Sequence, residues 1–172
     1  MRKIWVIGIV SLLLASCGEP APQRPSQRKS RPPQVDSTAM ALLELNQQLA
    51  ASADKLLTQK IQTLSQSYAL YDSSVWMYII DRGDETTASP VEGEEWTVHM
   101  RVYNLDEKLL VDSEASYRLG KYELPQAVDG VMGELHHGAQ ARLYAPWYTA
   151  FGMQGTAQVP PYENVIIDIE LR

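Results

Sequence analysis

Carboxylates are plentiful in this chain and three histidines accompany them, but their spacing gives them little bond-making chemistry to do. His136-His137 is the one pair with metal-ligand character, but no third ligand cluster lies near it and the chain holds a single cysteine. A turn between a helix and a strand accounts for the pair, so no metal is expected. Glu92-Gly93-Glu94-Glu95 reads as a solvated acidic loop, and no catalytic triad is in view. The informative spacing lies in the last third. There Gly138-Ala139-Gln140-Ala141-Arg142-Leu143 is followed by Ala150-Phe151-Gly152, then Val159-Pro160-Pro161, then an apolar run from Val165 to Leu171.

Cys17 is the other chemically distinctive residue. With one cysteine no intrachain disulfide can form. Met1-Arg2-Lys3 precedes an apolar stretch of eleven residues, Ile4 to Leu14, which reads as a signal peptide over residues 1–16 and is too short for a stable transmembrane anchor. Leu14-Ala15-Ser16-Cys17 looks like a bacterial lipobox, so Cys17 is expected to be lipid-modified, palmitate included, and to hold the chain on a membrane. Several acyl chains at ~0.8 kcal/mol per buried CH₂ make such an anchor effectively permanent. Gly18, rather than Asp, follows the cysteine, which points to the outer membrane with the domain in the periplasm. Losing Arg2 and Lys3 leaves 13 basic against 21 acidic residues, a net charge of −8. That balance, without a basic face, excludes nucleic acid as an expected partner.

Residues 17–36 comprise the expected lipid site and a tether with Pro20, Pro22, Pro25, Pro32 and Pro33 and almost nothing to bury. Residues 37–67 change character, with no Gly or Pro and apolar residues at helical spacing, which predicts a long amphipathic helix. Leu42, Leu49 and Leu56 are seven apart, whereas Ser52 and Gln59 follow Leu45 in the companion register. Packing on its own domain and pairing in a homodimer both suit this helix.

Val75–Ile80 and Trp96–Tyr103 read as strands, the second alternating cleanly with Trp96, Val98, Met100 and Val102 on one face. Leu109-Leu110-Val111 and Tyr117-Arg118-Leu119 read as two more strands, separated by Asp112-Ser113-Glu114. A short helix is predicted from Val128, Val131, Met132 and Leu135, with Pro125 in its first turn and Gly138 past its end. Arg142–Ala145 and Val165–Leu171 complete an antiparallel sheet with one helix across it, an α+β fold.

From residue 75 to 172 the order of these markers resembles the FKBP-type peptidyl-prolyl isomerases. Val111-Asp112-Ser113, Leu119-Gly120, the helix to Gly138, Ala150-Phe151-Gly152, Val159-Pro160-Pro161 and Asp168-Ile169-Glu170-Leu171 carry the likeness. The resemblance implies an FKBP-like half-barrel sheet wrapped on one short helix. The signal, tether and helix ahead of it, with Tyr71–Tyr78 as an aromatic first strand, are similar to FKBP-like lipoproteins associated with gliding motility.

The resemblance also implies a pocket, with Asp112 and Phe151 in the catalytic positions. Met100, Val111, Tyr117, Leu124, Pro125, Val128, Val159 and Ile167 would bind substrate. Several depart from the family: Met100 stands for a Tyr, Val111 for an aromatic, Val128 for the Trp floor, Phe151 for a Tyr and Ile167 for a Phe. Each of these residues also suits core packing. Rotation of a prolyl peptide bond crosses a barrier of nearly ~20 kcal/mol without breaking any bond, so no cofactor or nucleophile is needed. The expected partners are proline-containing polypeptides of the envelope, whose folding such a domain would assist. The family letters imply an isomerase with weakened turnover; the departures equally suit a non-catalytic scaffold or chaperone module of an envelope machine.

Overall fold

The computed structural model describes residues 37–72 and 74–172. The expected signal peptide, Cys17 and the tether lie outside them. Helix α1 spans Ser37–Gln62. Strands β1 (Ala69–Tyr71), β2 (Val75–Asp81), β3 (Glu95–Asn104) and β4 (Leu109–Arg118) follow. Helix α2 (Gln126–Val131) runs into a single 3₁₀ turn, and β5 (Gln140–Ala145) and β6 (Val165–Leu171) close the chain. The strands form one sheet in the order β1-β2-β5-β6-β3-β4, every pairing antiparallel. With a short helix across it and a long one before it, the fold is α+β. No helix among the described residues is long and apolar enough to cross a membrane.

Three details depart from the sequence reading. Helix α1 ends at Gln62 rather than reaching residue 67. Thr63 donates from both its amide (3.0 Å) and its hydroxyl (2.6 Å) to Lys60 O, and Leu64 N bonds Ile61 O, so the last turn tightens and stops. Strand β1 had no sequence signal, being three residues that owe their pairing to β2. The two strands expected around Asp112-Ser113-Glu114 are one continuous strand, β4, paired with β3 from Glu95↔Arg118 onward.

Strand alternation splits the sheet into two differently covered faces. The inner face presents Val75 and Met77, Val98, Met100 and Val102, Ala141, Leu143 and Ala145, and Val165, Ile167, Ile169 and Leu171 to α2. There Val128, Val131 and Met132 are fully buried. On the outer face α1 seats Leu57 and Ile61 on Tyr144 and Ile166, with Trp76 and Tyr103 alongside. Burying Leu57, which has no exposed surface, contributes about 1.5–3 kcal/mol. The Tyr148 hydroxyl donates to Asp54 Oδ1 at 2.5 Å and pins the middle of the helix. Helix α1 therefore packs on its own domain.

Beside it the outer face carries a polar anchor. Arg142 Nε and Nη2 donate to the two oxygens of Asp168 at 2.6 and 2.8 Å, satisfying a carboxylate that is 8 % exposed. Tyr68 stacks edge-on against Tyr144 with ring centroids 5.2 Å apart. Burial, then the neighbouring Tyr144, pushes the Tyr68 hydroxyl up to about 12. Burial and the bond to Asp54 push Tyr148 up as well.

Both hydroxyls stay protonated in the fold to higher pH than in the unfolded chain. The Tyr68 contribution is complete below the ordinary tyrosine value of 10.0 and is lost as pH rises through about 12. Urea unfolding at stepped alkaline pH is expected to show stability falling across that window, with a shallower fall in Tyr68→Phe. An unchanged slope in that variant would dissociate Tyr68 from the effect.

Candidate functional site

The inner face brings most of the expected site residues together. Strand β3 aims Met100 inward opposite Ser113 of β4 and Ile169 of β6. Strand β4 aims Val111 inward opposite Val102, and Tyr117 opposite Trp96. Strand β6 supplies Ile167, fully buried between Val102 and Leu143. Leu124 and Pro125 lead into α2, where Pro125 O accepts from Val128 N (2.9 Å) and Asp129 N (3.0 Å). Pro125 thus starts the helix without a donor that would go unpaired.

The loop between β5 and β6 is tied to that helix. Thr149 O accepts from Ala127 N at 2.8 Å, and the Thr149 hydroxyl bonds Pro146 O. Gly152 N returns to Trp147 O at 2.7 Å, holding Phe151 at the edge of the core. Gly155 N bonds Phe151 O, and Thr156 binds Val159 twice, through its amide to Val159 O and its hydroxyl from Val159 N. Gly155 has φ +64, and a Cβ there would fall 2.3 Å from Val159 O, so only glycine lets the loop close this tightly. Phe151 and Val159 are positioned as one unit.

Met100, Leu124, Val128, Val159 and Ile167 are buried members of a single apolar cluster, and Val111, Tyr117 and Phe151 pack partly buried against it. The floor is closed, for Val128, Val159 and Ile167 have no exposed surface. Of the expected site residues, those left half-open at the margin of the cluster are Val111, Tyr117 and Phe151, apolar apart from one hydroxyl.

Asp112 is not in this group. Strand β4 runs without interruption, so Val111 facing inward sends Asp112 outward, where its Oδ1 lies 2.7 Å from His99 Nε2 with the side chain 52 % exposed. His99 is also 3.9 Å from Glu170. Arg172 bonds both Glu170, at 3.0 Å, and Glu114, and this bond holds the Glu170 carboxyl below its usual range. The expected catalytic carboxylate thus belongs to an exposed ladder on the opposite face.

Sequence reading missed two contributors. Thr149 gives the loop its tie to α2 through a backbone carbonyl, which carries no sequence signal. Trp96 stands directly across from Tyr117, visible only once the register is known. His136 and His137 occupy the turn before β5, where His136 Nδ1 lies 2.9 Å from Thr87 O and His137 sets its ring beside Trp96. A separate cleft of about 420 Å³ opens on the outer face among Tyr68, Tyr78, Ile80, Arg142 and Tyr144.

A family model described as FKBP-type peptidyl-prolyl cis-trans isomerase matches residues 86–172. Among solved structures, the N-terminal domain of FKBP42 from Arabidopsis thaliana superposes with a TM-score of 0.55 at 18 % identity, covering 63 % of this chain and 92 % of that one. At that identity the likeness speaks for the fold alone. No curated protein matches the sequence.

Proposed function

The chain belongs to the FKBP-type peptidyl-prolyl cis-trans isomerase family, and from that premise we propose that it accelerates cis-trans exchange of Xaa-Pro bonds in exported polypeptides. The observation that carries the reading is the rim of Val111, Tyr117 and Phe151 over a wholly apolar cluster. A twisted prolyl amide has lost resonance and is less polar than the planar one. A dry aromatic and aliphatic surface therefore favours it over the hydrated ground state. Phe151 supplies the ring against which the pyrrolidine packs. The Tyr117 hydroxyl supplies a hydrogen bond to hold the peptide. With Asp112 on the far face, turnover rests on packing more than on a carboxylate.

A second reading is favoured by the closed floor. Buried Val128, Val159 and Ile167 leave a shallow surface that suits a binding module better than a deep prolyl pocket. In that reading the domain is a non-catalytic scaffold or chaperone of an envelope machine, gliding or secretion. Both readings place the chain on the periplasmic side of the outer membrane through an acylated Cys17. The support for that address is the Leu14–Cys17 motif with Gly18 after it.

A protease-coupled assay on Xaa-Pro peptides separates the readings. Exchange faster than buffer is expected, reduced about tenfold or more by Phe151→Ala, or ~1.4 kcal/mol of transition-state stabilisation. Asp112→Ala is expected to stay within about twofold of the parent, given its outward position. A folded domain with no rate above buffer would leave the scaffold reading standing. For the anchor, labelled palmitate is expected in the parent chain and absent from Cys17→Ala; label retained in that variant would refute acylation there.

A further inference from the structure

Helix α1 carries two apolar faces, and its own domain covers one over the C-terminal half, Leu43 of that stripe staying 53 % exposed. Ala53, Leu57 and Ile61 are buried, whereas Leu42, Leu45, Leu49 and Leu56 lie about a quarter turn round the helix and remain exposed at 56, 50, 37 and 47 %. Their spacing of three and four residues, recurring every seven, is that of a coiled-coil seam. Ser52 and Gln59 take the next two companion positions. At Ser52, where a leucine is missing, a groove of about 220 Å³ opens between Leu49 and Leu56 of the helix and Trp147 and Tyr162 of the loop after β5.

We propose that a second copy of this chain covers the seam, each helix seating its exposed leucines along the other and into the groove beside Ser52. Such an arrangement is self-complementary, as a two-fold interface requires: the chain supplies both knob and hole. Charge does not oppose it, since Glu44, Asp54 and Lys55 are the only charged residues from 37 to 59. The same count disfavours a lipid surface, because Lys55 is the one basic residue in that stretch and a single cation attracts anionic headgroups weakly. The preceding tether, rich in proline and arginine with Val35 its one large aliphatic residue, has nothing to bury against four leucines. Pairing would set two isomerase-family domains side by side on adjacent tethers.

The test uses residues 18–172, which keep every described residue and remove the acylation site as a cause of association. Light scattering at high micromolar concentration is expected to give twice the chain mass. Leu45→Glu with Leu49→Glu is expected to return the chain mass with unchanged circular dichroism, both side chains being exposed in the single chain. Leu70→Glu, equally exposed but on β1 away from the seam, is expected to stay dimeric. A single-chain mass for the parent, or a dimer that survives the paired substitution, would overturn the proposal. So would leucine-dependent sedimentation of a single chain with anionic vesicles, which would assign the seam to the membrane.

Discussion

Strand β6 is covered on both sides, and the rest of the molecule is arranged around that condition. Its inward residues Val165, Ile167, Ile169 and Leu171 complete the cluster under α2. Its outward residues have to be satisfied separately: Ile166 by Leu57 and Ile61 of α1, and Asp168 by the paired nitrogens of Arg142. An antiparallel sheet of this size can leave one face to water. Here the two central strands, β5 and β6, cannot, because Tyr144 and Ile166 lie outward and are about 1 % exposed. Helix α1 is therefore part of the domain's packing as well as a link to the residues before it.

The same alternation decides which residues the proposed peptide site can use. Everything facing α2 joins one dense cluster, and side chains at its margin, Val111, Tyr117 and Phe151 among them, stay accessible. Substitution of smaller aliphatic residues for the family's aromatics leaves Val128 and Ile167 fully buried, as core residues would be. The loop from Pro146 to Val159, tied to α2 through Thr149 and closed by Gly155, fixes the outermost ring. In the proposed site, binding strength would depend on how rigidly that loop is held, since little else orients a peptide.

Much of this is legible in the sequence. The clean alternation of Trp96 to Tyr103, the i, i+3, i+4, i+7 spacing from Val128 to Leu135, and the closing run to Leu171 specify faces directly through side-chain periodicity. The site was less legible because pocket membership depends on register. Asp112-Ser113-Glu114 looks like an interruption, a polar run between apolar segments. It is instead the middle of an edge-strand ladder with β3, where Ser113 alternates onto the inner face half-buried. Nothing local distinguishes those cases; the pairing of Arg101 with Asp112 does. Likewise the leucine repeat of α1 was ambiguous because two apolar stripes overlap on one helix. Only the partners of Leu57 and Ile61 show which stripe the domain uses.

The central claim is that α1 braces β6 from outside. Amide hydrogen exchange tests it most directly, read at Ile166–Ile169 in the parent and in Leu57→Ala. Removing that buried side chain is expected to cost about 2–5 kcal/mol. The β6 amides should exchange only through global unfolding and speed up by the same free energy that urea unfolding loses, while the β4 edge, already fast, changes little. Unchanged β6 protection together with an unchanged urea midpoint in Leu57→Ala would contradict the account.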